Sequence, residues 1–325
     1  MTQCDIAIIG GGPAGLYAAY YAGFRGFSVT LIDVLPELGG QISAMYPEKN
    51  IYDVAGFPTI KGQALVDGLS QQARAFSPNI MLNERVCTLN LDNAAGMVNL
   101  VTDNGTEVCA KVCLITGGIG SFTPRPLPVG SEFLGRGLVY FVPRLEEHRN
   151  KDVLIVGGGD SAFDWAVALH GIAKSITIVH RRDSFRAHAA TVEQVRSLGI
   201  ELVTNSEIHA IKGSSVIESV TVASKDGSTR EYPCQTLIAA LGFIANIGPI
   251  ENWGLQLDKR HIVVDMRMRT SLERVFAAGD IATYPGKVAL ISVGFGEAAL
   301  AVNNAVPLID PSQGVFPGHS SGGAE

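Results

Sequence analysis

The sequence carries one pattern twice, as DIAIIGGGPAGLYAAYYAG at residues 5–23 and as DVLIVGGGDSAFDWAVALHG at residues 152–171. In each copy a short apolar strand runs into three glycines and then into an apolar-periodic helix. This layout is typical of a dinucleotide-binding turn, in which glycines allow a tight turn, close approach to a pyrophosphate and helix–strand packing. The pyrophosphate is expected at the helix N-terminus, where N–H groups and the dipole favour negative charge. Two copies in the same context argue against an ordinary glycine-rich loop.

The composition predicts two folded domains. The chain has 325 residues, which exceeds the roughly 250–300 residues at which single cores usually stop growing. Hydrophobic residues make up 46% of the chain and charged residues only 17%, so we expect disorder at most in the final PGHSSGGAE. A net charge of −6 without a basic stripe argues against a nucleic-acid partner.

The sequence predicts neither a membrane anchor nor a metal site. No run reaches the roughly 18–20 apolar residues of a membrane span, and Glu297 interrupts the longest candidate at 288–302. No basic segment precedes the first apolar strand, which argues against a signal peptide and favours the cytoplasm. The cysteines form no C-x-x-C pair, and we interpret Cys109 and Cys113 as small buried hydrophobic residues.

The residue 23 positions after each first glycine distinguishes the two turns. The strand FSVTLID ends at Asp33, whereas SITIVHRR places His180 at the equivalent position. A carboxylate there accepts hydrogen bonds from a ribose 2′-OH and repels a 2′-phosphate, which arginines accommodate. The first turn therefore suits FAD or NAD, and the second, followed by Arg181, Arg182 and Arg186, suits NADP. A solvated basic turn is the alternative for the arginines, and His180 could stack on adenine or cap its strand.

Three further segments resemble signatures of the thioredoxin-reductase-like flavoproteins, which bind two dinucleotides. They are PELGGQISAMYPEKNIYDVAGFP (36–58), LITGGIG (114–120) and RVFAAGDIA (274–282). Thioredoxin reductase carries a redox C-x-x-C in its NADP domain, but residues 119–243 contain only Cys234, so an internal dithiol relay is excluded. The missing pair, SAMYPEK and the tail PGHSS are together similar to ferredoxin–NADP⁺ reductases of the thioredoxin-reductase type.

The resemblance implies an α/β protein with two Rossmann-like dinucleotide-binding domains, the NADP domain being inserted into a split FAD domain. The expected boundaries are 1–116 for the first FAD part, 117–243 for the NADP domain, and 244–325 for the second FAD part with its tail. Hydride is expected to pass between NADP(H) and FAD, and single electrons between FAD and ferredoxin or flavodoxin. A homodimer is also implied. Tyr46 and His319 match the rings that cover the two flavin faces in this family.

These arguments define the candidate site residues. Those expected to bind cofactor in the first and flavin-facing segments are Gly10, Gly12, Pro13, Ala14, Gly15, Asp33, Gly40, Gln41, Tyr46, Gly117, Gly279 and Asp280. Those expected to bind cofactor in the second turn are Gly157, Gly159, Asp160, Ser161, Ala162, His180, Arg181, Arg182 and Arg186. Tyr46 could instead be a packed loop residue, His319 part of a disordered tail, and Asp280 an ordinary turn residue. Two other functions stay open, namely reduction of another acceptor (an external disulfide, a quinone or a diaphorase dye) and a non-catalytic flavin redox sensor.

Overall fold

A computed structural model describes residues 1–316 and residue 318 of the chain. These residues form two compact units. The first unit comprises Met1–Ala44, Asn50–Phe122 and the described residues from Ala245 onward, and the second comprises Met45–Lys49 and Thr123–Ile244. Segments on both sides of the second unit in sequence therefore build the first. The assignment of these units to FAD and NADP, with boundaries after residues 116 and 243, stays a prediction.

The strands are β1 (Thr2–Ile9), β2 (Val29–Ile32), β3 (Asn50–Ile51), β4 (Ile60–Lys61), β5 (Asn79–Met81), β6 (Val86–Asp92), β7 (Met97–Thr102), β8 (Glu107–Ile115), β9 (Ser121–Pro124), β10 (Leu138–Val139), β11 (Asp152–Val156), β12 (Ser175–Val179), β13 (Glu201–Val203), β14 (Ser206–Gly213), β15 (Ile217–Ser224), β16 (Thr229–Pro233), β17 (Thr236–Ala239), β18 (Phe243–Asn246), β19 (Leu257–Asp258), β20 (His261–Val263), β21 (Val275–Ala277) and β22 (Ala282–Thr283). The α-helices are α1 (Pro13–Phe24), α2 (Gln41–Met45), α3 (Gly62–Arg74), α4 (Asp160–Leu169), α5 (Ala189–Ser197) and α6 (Ile291–Ile309). Short 3₁₀ turns lie at Ser131–Phe133, Leu145–His148, Gly248–Asn252 and Gly279–Ile281.

The first unit is built on a sheet with strand order β5-β2-β1-β8-β7-β6, in which β21 also pairs with β8. Strands β5, β2, β1, β8 and β21 are parallel, whereas β7 runs antiparallel to both β8 and β6. The long strand β8 pairs with β1 along one edge and divides its other edge between two partners, because residues 107–110 pair with β7 and residues 113–115 pair with β21. Helix α1 packs against α3 and α6. The carboxyl ends of the parallel strands thus come together beside the N-terminus of α1.

The second unit is built on a parallel sheet with strand order β10-β17-β11-β12-β13. Alternate strand side chains enter two cores, one shared with α4 and α5 and the other with the antiparallel sheet β14-β15-β16. Hairpin turns at Asn104–Gly105 and Asp226–Gly227 join β7 to β8 and β15 to β16. The prediction of an α/β fold with two Rossmann-like sheets is therefore confirmed.

Candidate functional site

The first glycine turn accepts no side chain at two of its positions. Gly10 has a φ of +111°, and a Cβ there would lie 2.6 Å from the carbonyl oxygen of Thr116. A Cβ on Gly15 would lie 1.8 Å from the carbonyl oxygen of Gly10, so strand and helix pack closely enough to exclude one. Helix α1 begins at Pro13 after Gly12, which has no side chain to cap the first-turn N–H groups. The turn thus presents open backbone donors at a helix N-terminus, as a pyrophosphate requires.

Asp33 follows β2 directly and is only 6% exposed. One carboxylate oxygen accepts the N–H of Gly11, and the other accepts the N–H of Leu35 at 2.7 Å. Burial raises the pKa of this carboxyl, and the two N–H donors oppose that rise. The structure therefore holds an acidic side chain against the glycine turn at the end of the second strand. Its contact with a ribose stays a prediction.

The segment 36–58 returns over this turn. Gly40 has a φ of +58°, and a Cβ there would lie 3.0 Å from the Cα of Gly12. Gln41 begins α2, and its Nε2 lies 3.2 Å from the Cβ that Gly118 would carry. The backbone nitrogen of Gly117 lies 2.9 Å from the corresponding Cβ position of Gly10. Three stretches that are distant in sequence therefore meet at one glycine-lined cradle that Cβ atoms would fill.

The RVFAAGDIA segment reaches the same helix end from the opposite side in sequence. Gly279 has a φ of +78°, and a Cβ there would lie 3.1 Å from the Cβ of Ala14. Gly294 of α6 also approaches, because its Cβ would lie 3.4 Å from the Cα of Gly279. Asp280 is half-buried, and burial raises its pKa while the ammonium of Lys287 lowers it. The predicted residues of the first unit are thereby gathered around the N-terminus of α1.

The second glycine turn has the same geometry, except that an alanine takes the place of the third glycine. A Cβ on Gly157 would lie 2.5 Å from the carbonyl oxygen of Ala240 and 3.1 Å from the Cβ of Ala162. Ala162 occupies the position of the third glycine and is fully buried. Helix α4 begins at Asp160 after Gly159, again without a side-chain cap, and Ser161 is exposed in its first turn. This helix end therefore also offers backbone donors.

His180 lies against the middle glycine of the second turn. A Cβ on Gly158 would lie 2.3 Å from the His180 Cε1, so the imidazole packs directly on this backbone. Burial lowers the pKa of His180, a backbone hydrogen bond at Ser184 opposes that change, and the nearby arginines lower it further. Its Nε2 is buried and has no hydrogen-bond partner among the residues that the structure describes. The backbone N–H of Arg186 donates to the Gly158 carbonyl at 2.7 Å, which closes the loop after β12.

Arg181 and Arg182 line an open cavity of about 520 Å³. The sequence analysis missed two other residues of its wall, Asn205 and Lys225, which flank the paired ends of β14 and β15. The Lys225 ammonium donates to the Asn205 Oδ1 at 3.1 Å. Glu207 also lines the cavity, so its wall is mixed rather than wholly basic. The only signal for Lys225 was its place at the Asp-Gly hairpin, which does not reveal what it faces.

Tyr46 lies in the second unit, whereas the other flavin-site candidates among the described residues lie in the first. Its ring packs against the core shared by α4 and α5, and the Lys49 ammonium lies 5.7 Å from the ring centroid. Lys49 in turn forms an ion pair with Asp164 of α4. The stacking of Tyr46 on flavin stays a prediction. His319 lies outside the described residues.

The described cysteines are not arranged for redox or metal chemistry. All five are free thiols, and four of them are buried. Burial raises the pKa of Cys234 to about 12 and also raises that of Cys113, so both remain protonated and poorly reactive. Over residues 1–316 and 318 no group of three or more His, Cys, Asp or Glu side chains could hold a metal ion. Over the same residues, the helices lack the combination of length and apolar character that a membrane span needs.

Two glycine turns, each following a strand with parallel neighbours in its own sheet, define a class of enzymes that handle two dinucleotides. Residues 4–304 match the family model described as pyridine nucleotide-disulphide oxidoreductase, and the chain belongs to this family.

Within the family, its relatives point to one type of member. A ferredoxin–NADP reductase of Nocardioides sp. (strain ATCC BAA-499 / JS614) is 59% identical over 98% of this chain and 97% of its own length. The ferredoxin–NADP reductase of Frankia alni is 58% identical, covering 97% of this chain and 98% of its own. The crystal structure of T. acidophilum thioredoxin reductase superposes with a TM-score of 0.79 at 26% identity, covering 96% of this chain and 99% of that one. The resemblance indicated by the sequence is thus confirmed.

Proposed function

We propose that this chain is a flavoprotein ferredoxin–NADP⁺ reductase, with FAD bound by the first unit and NADP(H) by the second. The observation that carries the assignment is the difference between the two strand-end positions. Asp33 lies on the first turn, and His180, followed by two arginines of a cavity wall, lies on the second. The names of the relatives support the same assignment.

The cradle of the first unit fits a dinucleotide, because it is lined by backbone at the positions where a Cβ would intrude. Gly10, Gly12 and Gly15 would admit the pyrophosphate to the N-terminus of α1. Asp33 would accept a ribose hydroxyl. Gln41 and Asp280 would bind polar atoms of the flavin and its ribityl chain. When bound, FAD takes a hydride equivalent from NADPH and passes single electrons to a carrier protein.

In the second unit, the residues bind and orient NADP(H). The N-terminus of α4 would receive the pyrophosphate, and Arg181 and Arg182 would pair with the 2′-phosphate. Burial and the neighbouring arginines hold the pKa of His180 below its ordinary value, so the ring adds no charge beside them. The proposal requires no side chain to act as a general acid or base, because the redox chemistry belongs to the cofactors.

The proposal is tested by the chromophore and by the acceptor. We expect denatured protein to release FAD, and NADPH to bleach the bound flavin rapidly. With added ferredoxin, the holoenzyme should reduce cytochrome c from NADPH, and it should not reduce thioredoxin. Release of FMN, slow bleaching, or fast turnover of thioredoxin or a quinone with no response to ferredoxin would each contradict the assignment.

A basic surface of the first unit supports docking of an acidic carrier. Lys259, Arg260, Arg267 and Arg269 are exposed between residues 258 and 269. The nearby Lys287 is only 10% exposed and is paired with Glu297, so it is not available for docking. The ferredoxin-dependent rate should fall as salt rises, because charge pairing across an interface is screened over roughly 8–10 Å. A salt-independent rate would contradict docking through these residues.

Four finer features belong to the same proposal. We propose flavodoxin as an alternative carrier, a homodimer, a cytoplasmic location, and ring contacts of Tyr46 and His319 with the flavin. Flavodoxin substitution in the cytochrome assay, sedimentation and cell fractionation test the first three. Deleting residues 318–325 should retain FAD and thermal stability and change the rate of flavin reduction, since a ring over the flavin must move before nicotinamide stacks. An unchanged stopped-flow trace would contradict a role for His319.

A further inference from the structure

A buried carboxylate that the mechanism above does not use lies beside the Gly279–Asp280 turn. Glu297 is in the second turn of α6 and is 3% exposed. It is a charged residue in a helix whose other residues are mostly small or apolar. Burying a carboxylate is costly unless it is paired and hydrogen-bonded. Glu297 is therefore expected to have well-placed partners, and the structure supplies three of them.

Its partners come from a single stretch, residues 279–287. One oxygen accepts the backbone N–H of Gly279 at 2.8 Å, and the other accepts the Tyr284 hydroxyl at 2.7 Å. The second oxygen also pairs with the ammonium of Lys287. Burial first, and then the contact with Glu297, raise the pKa of Tyr284 to about 12, so its hydroxyl remains a donor. One side chain thus ties both ends of this stretch to α6.

The stretch held in this way includes the turn that presents Asp280. Gly279 has a left-handed φ of +78° and lies against Ala14 at the start of α1. Because Asp280 is the next residue, the position of the Gly279 backbone determines the position of the Asp280 backbone. Asp280 and Glu297 repel one another, and Lys287 attracts both. The charge at the turn is therefore mainly a balance of two carboxylates against the Lys287 ammonium, to which His261 adds a smaller favourable interaction with Asp280.

We infer that Glu297 and Lys287 are positioning residues of the flavin site, in which Glu297 fixes the Gly279–Asp280 turn and the pair sets the local charge. This inference rests on the proposed function, since it assumes that FAD binds at the turn. Reduction adds negative charge to a bound flavin. An extra net positive charge nearby should therefore favour the reduced form, and an extra net negative charge should disfavour it.

The experiment measures the midpoint potential of bound flavin and the retention of FAD in purified protein. Glu297→Gln keeps the shape and loses the charge, so the potential should rise, and FAD should dissociate about tenfold more readily as a charge-assisted bond is lost. Lys287→Met should lower the potential. The double variant should return toward the wild-type potential. Tyr284→Phe is the matched control, because it removes a hydrogen bond to the same carboxylate without changing charge, and its potential should equal that of wild type.

The outcomes separate this inference from the function on which it rests. Wild-type protein that binds no FAD would overturn both. Wild-type protein that binds FAD, with equal potentials in Glu297→Gln, Lys287→Met and Tyr284→Phe, would overturn the inference alone. If Lys287→Met does not fold, the flavin potentials of Glu297→Gln and Tyr284→Phe decide whether the inference holds. A rise in Glu297→Gln but not in Tyr284→Phe supports the inference, and equal values overturn it.

Discussion

The two glycine turns of this chain have the same backbone plan and differ in the side chain that meets the middle glycine. In the first, the Asp33 carboxylate accepts the N–H of Gly11, whereas in the second the His180 ring packs on Gly158. Each of the two residues stands at the end of the strand that follows the glycine helix. In the proposed function, the backbone allows a dinucleotide to bind, and this side chain and its successors are expected to discriminate between dinucleotides.

The largest effect is expected from a substitution at the third glycine position of the turn, which is Gly15 in one copy and Ala162 in the other. In Gly15→Ala the new Cβ would meet the Gly10 carbonyl at 1.8 Å. We expect a loss of about 3 kcal/mol in the free energy of unfolding, at the upper end of overpacking costs, together with loss of bound flavin. Denaturant unfolding and flavin content measure this. Ala162→Gly is the control, expected to cost about 1 kcal/mol. If Gly15→Ala retains a full complement of flavin, the close packing of Gly15 on the Gly10 carbonyl does not limit flavin binding, and this prediction is wrong.

Removing the charge of Arg181 or Arg182, which is proposed to pair with the 2′-phosphate, should affect only one coenzyme. Arg181→Ala or Arg182→Ala should each weaken NADPH binding about tenfold or more, because a charge-assisted hydrogen bond is worth roughly 1.5–3 kcal/mol. NADH binding should be nearly unchanged. Titration of both coenzymes against each variant measures the effect. Equal losses for NADPH and NADH would show that the arginines act on the fold or the pyrophosphate instead.

A smaller effect is expected from Lys225, which lies in the wall of the same cavity. Because this side chain is exposed and already hydrogen-bonded to Asn205, Lys225→Met should weaken NADPH binding only about threefold, within the range of exposed charge pairs. Competition by 2′,5′-ADP should weaken in parallel, and competition by 5′-ADP should not. Lys212→Met, which removes a lysine paired with Glu231 on the same antiparallel sheet, is the control. If Lys225→Met and Lys212→Met bind NADPH equally well, the proposed contact of Lys225 with NADPH is contradicted.

The smallest effect concerns pH. The pKa of His180 is lowered in the fold from its ordinary value of 6.5, mainly by burial. The unfolded chain therefore binds the proton first, and the stability contributed by neutral His180 is present above that value and is lost as pH falls below it. His180→Asn should flatten the decline in unfolding free energy between about pH 7 and pH 5. Chemical denaturation across this range measures it, with exposed His170→Asn as the control. If the unfolding free energy of His180→Asn varies with pH as that of the wild type does, the lowered pKa of His180 in the fold is contradicted.

The sequence predicted those features that depend on local backbone requirements or on simple counting. Glycine at positions 10, 15 and 157 follows from close backbone contacts, and Asp33 and His180 were matched by their distance along the chain. The partners of buried charges were not predictable in this way. Glu297 stood out only as an interruption of an apolar run, because its partners lie 10 to 18 positions away on a separate turn. Lys225 was missed because strand pairing decides what it contacts. The contact of Tyr46 with the core of α4 and α5 depends on tertiary packing, and its stacking on flavin stays a prediction.

The split construction of the first unit has a consequence for how the chain is made. The end of β8 pairs with β21, whose first residue emerges 160 positions after Ile115. At usual rates of synthesis this strand follows roughly 8–32 s later. During that interval the ribosome completes the strands from β10 to β17, which pair with one another. The nascent chain therefore holds an unpaired edge on β8 while its second sheet is already complete, and this edge is where chaperones and aggregation would compete for it.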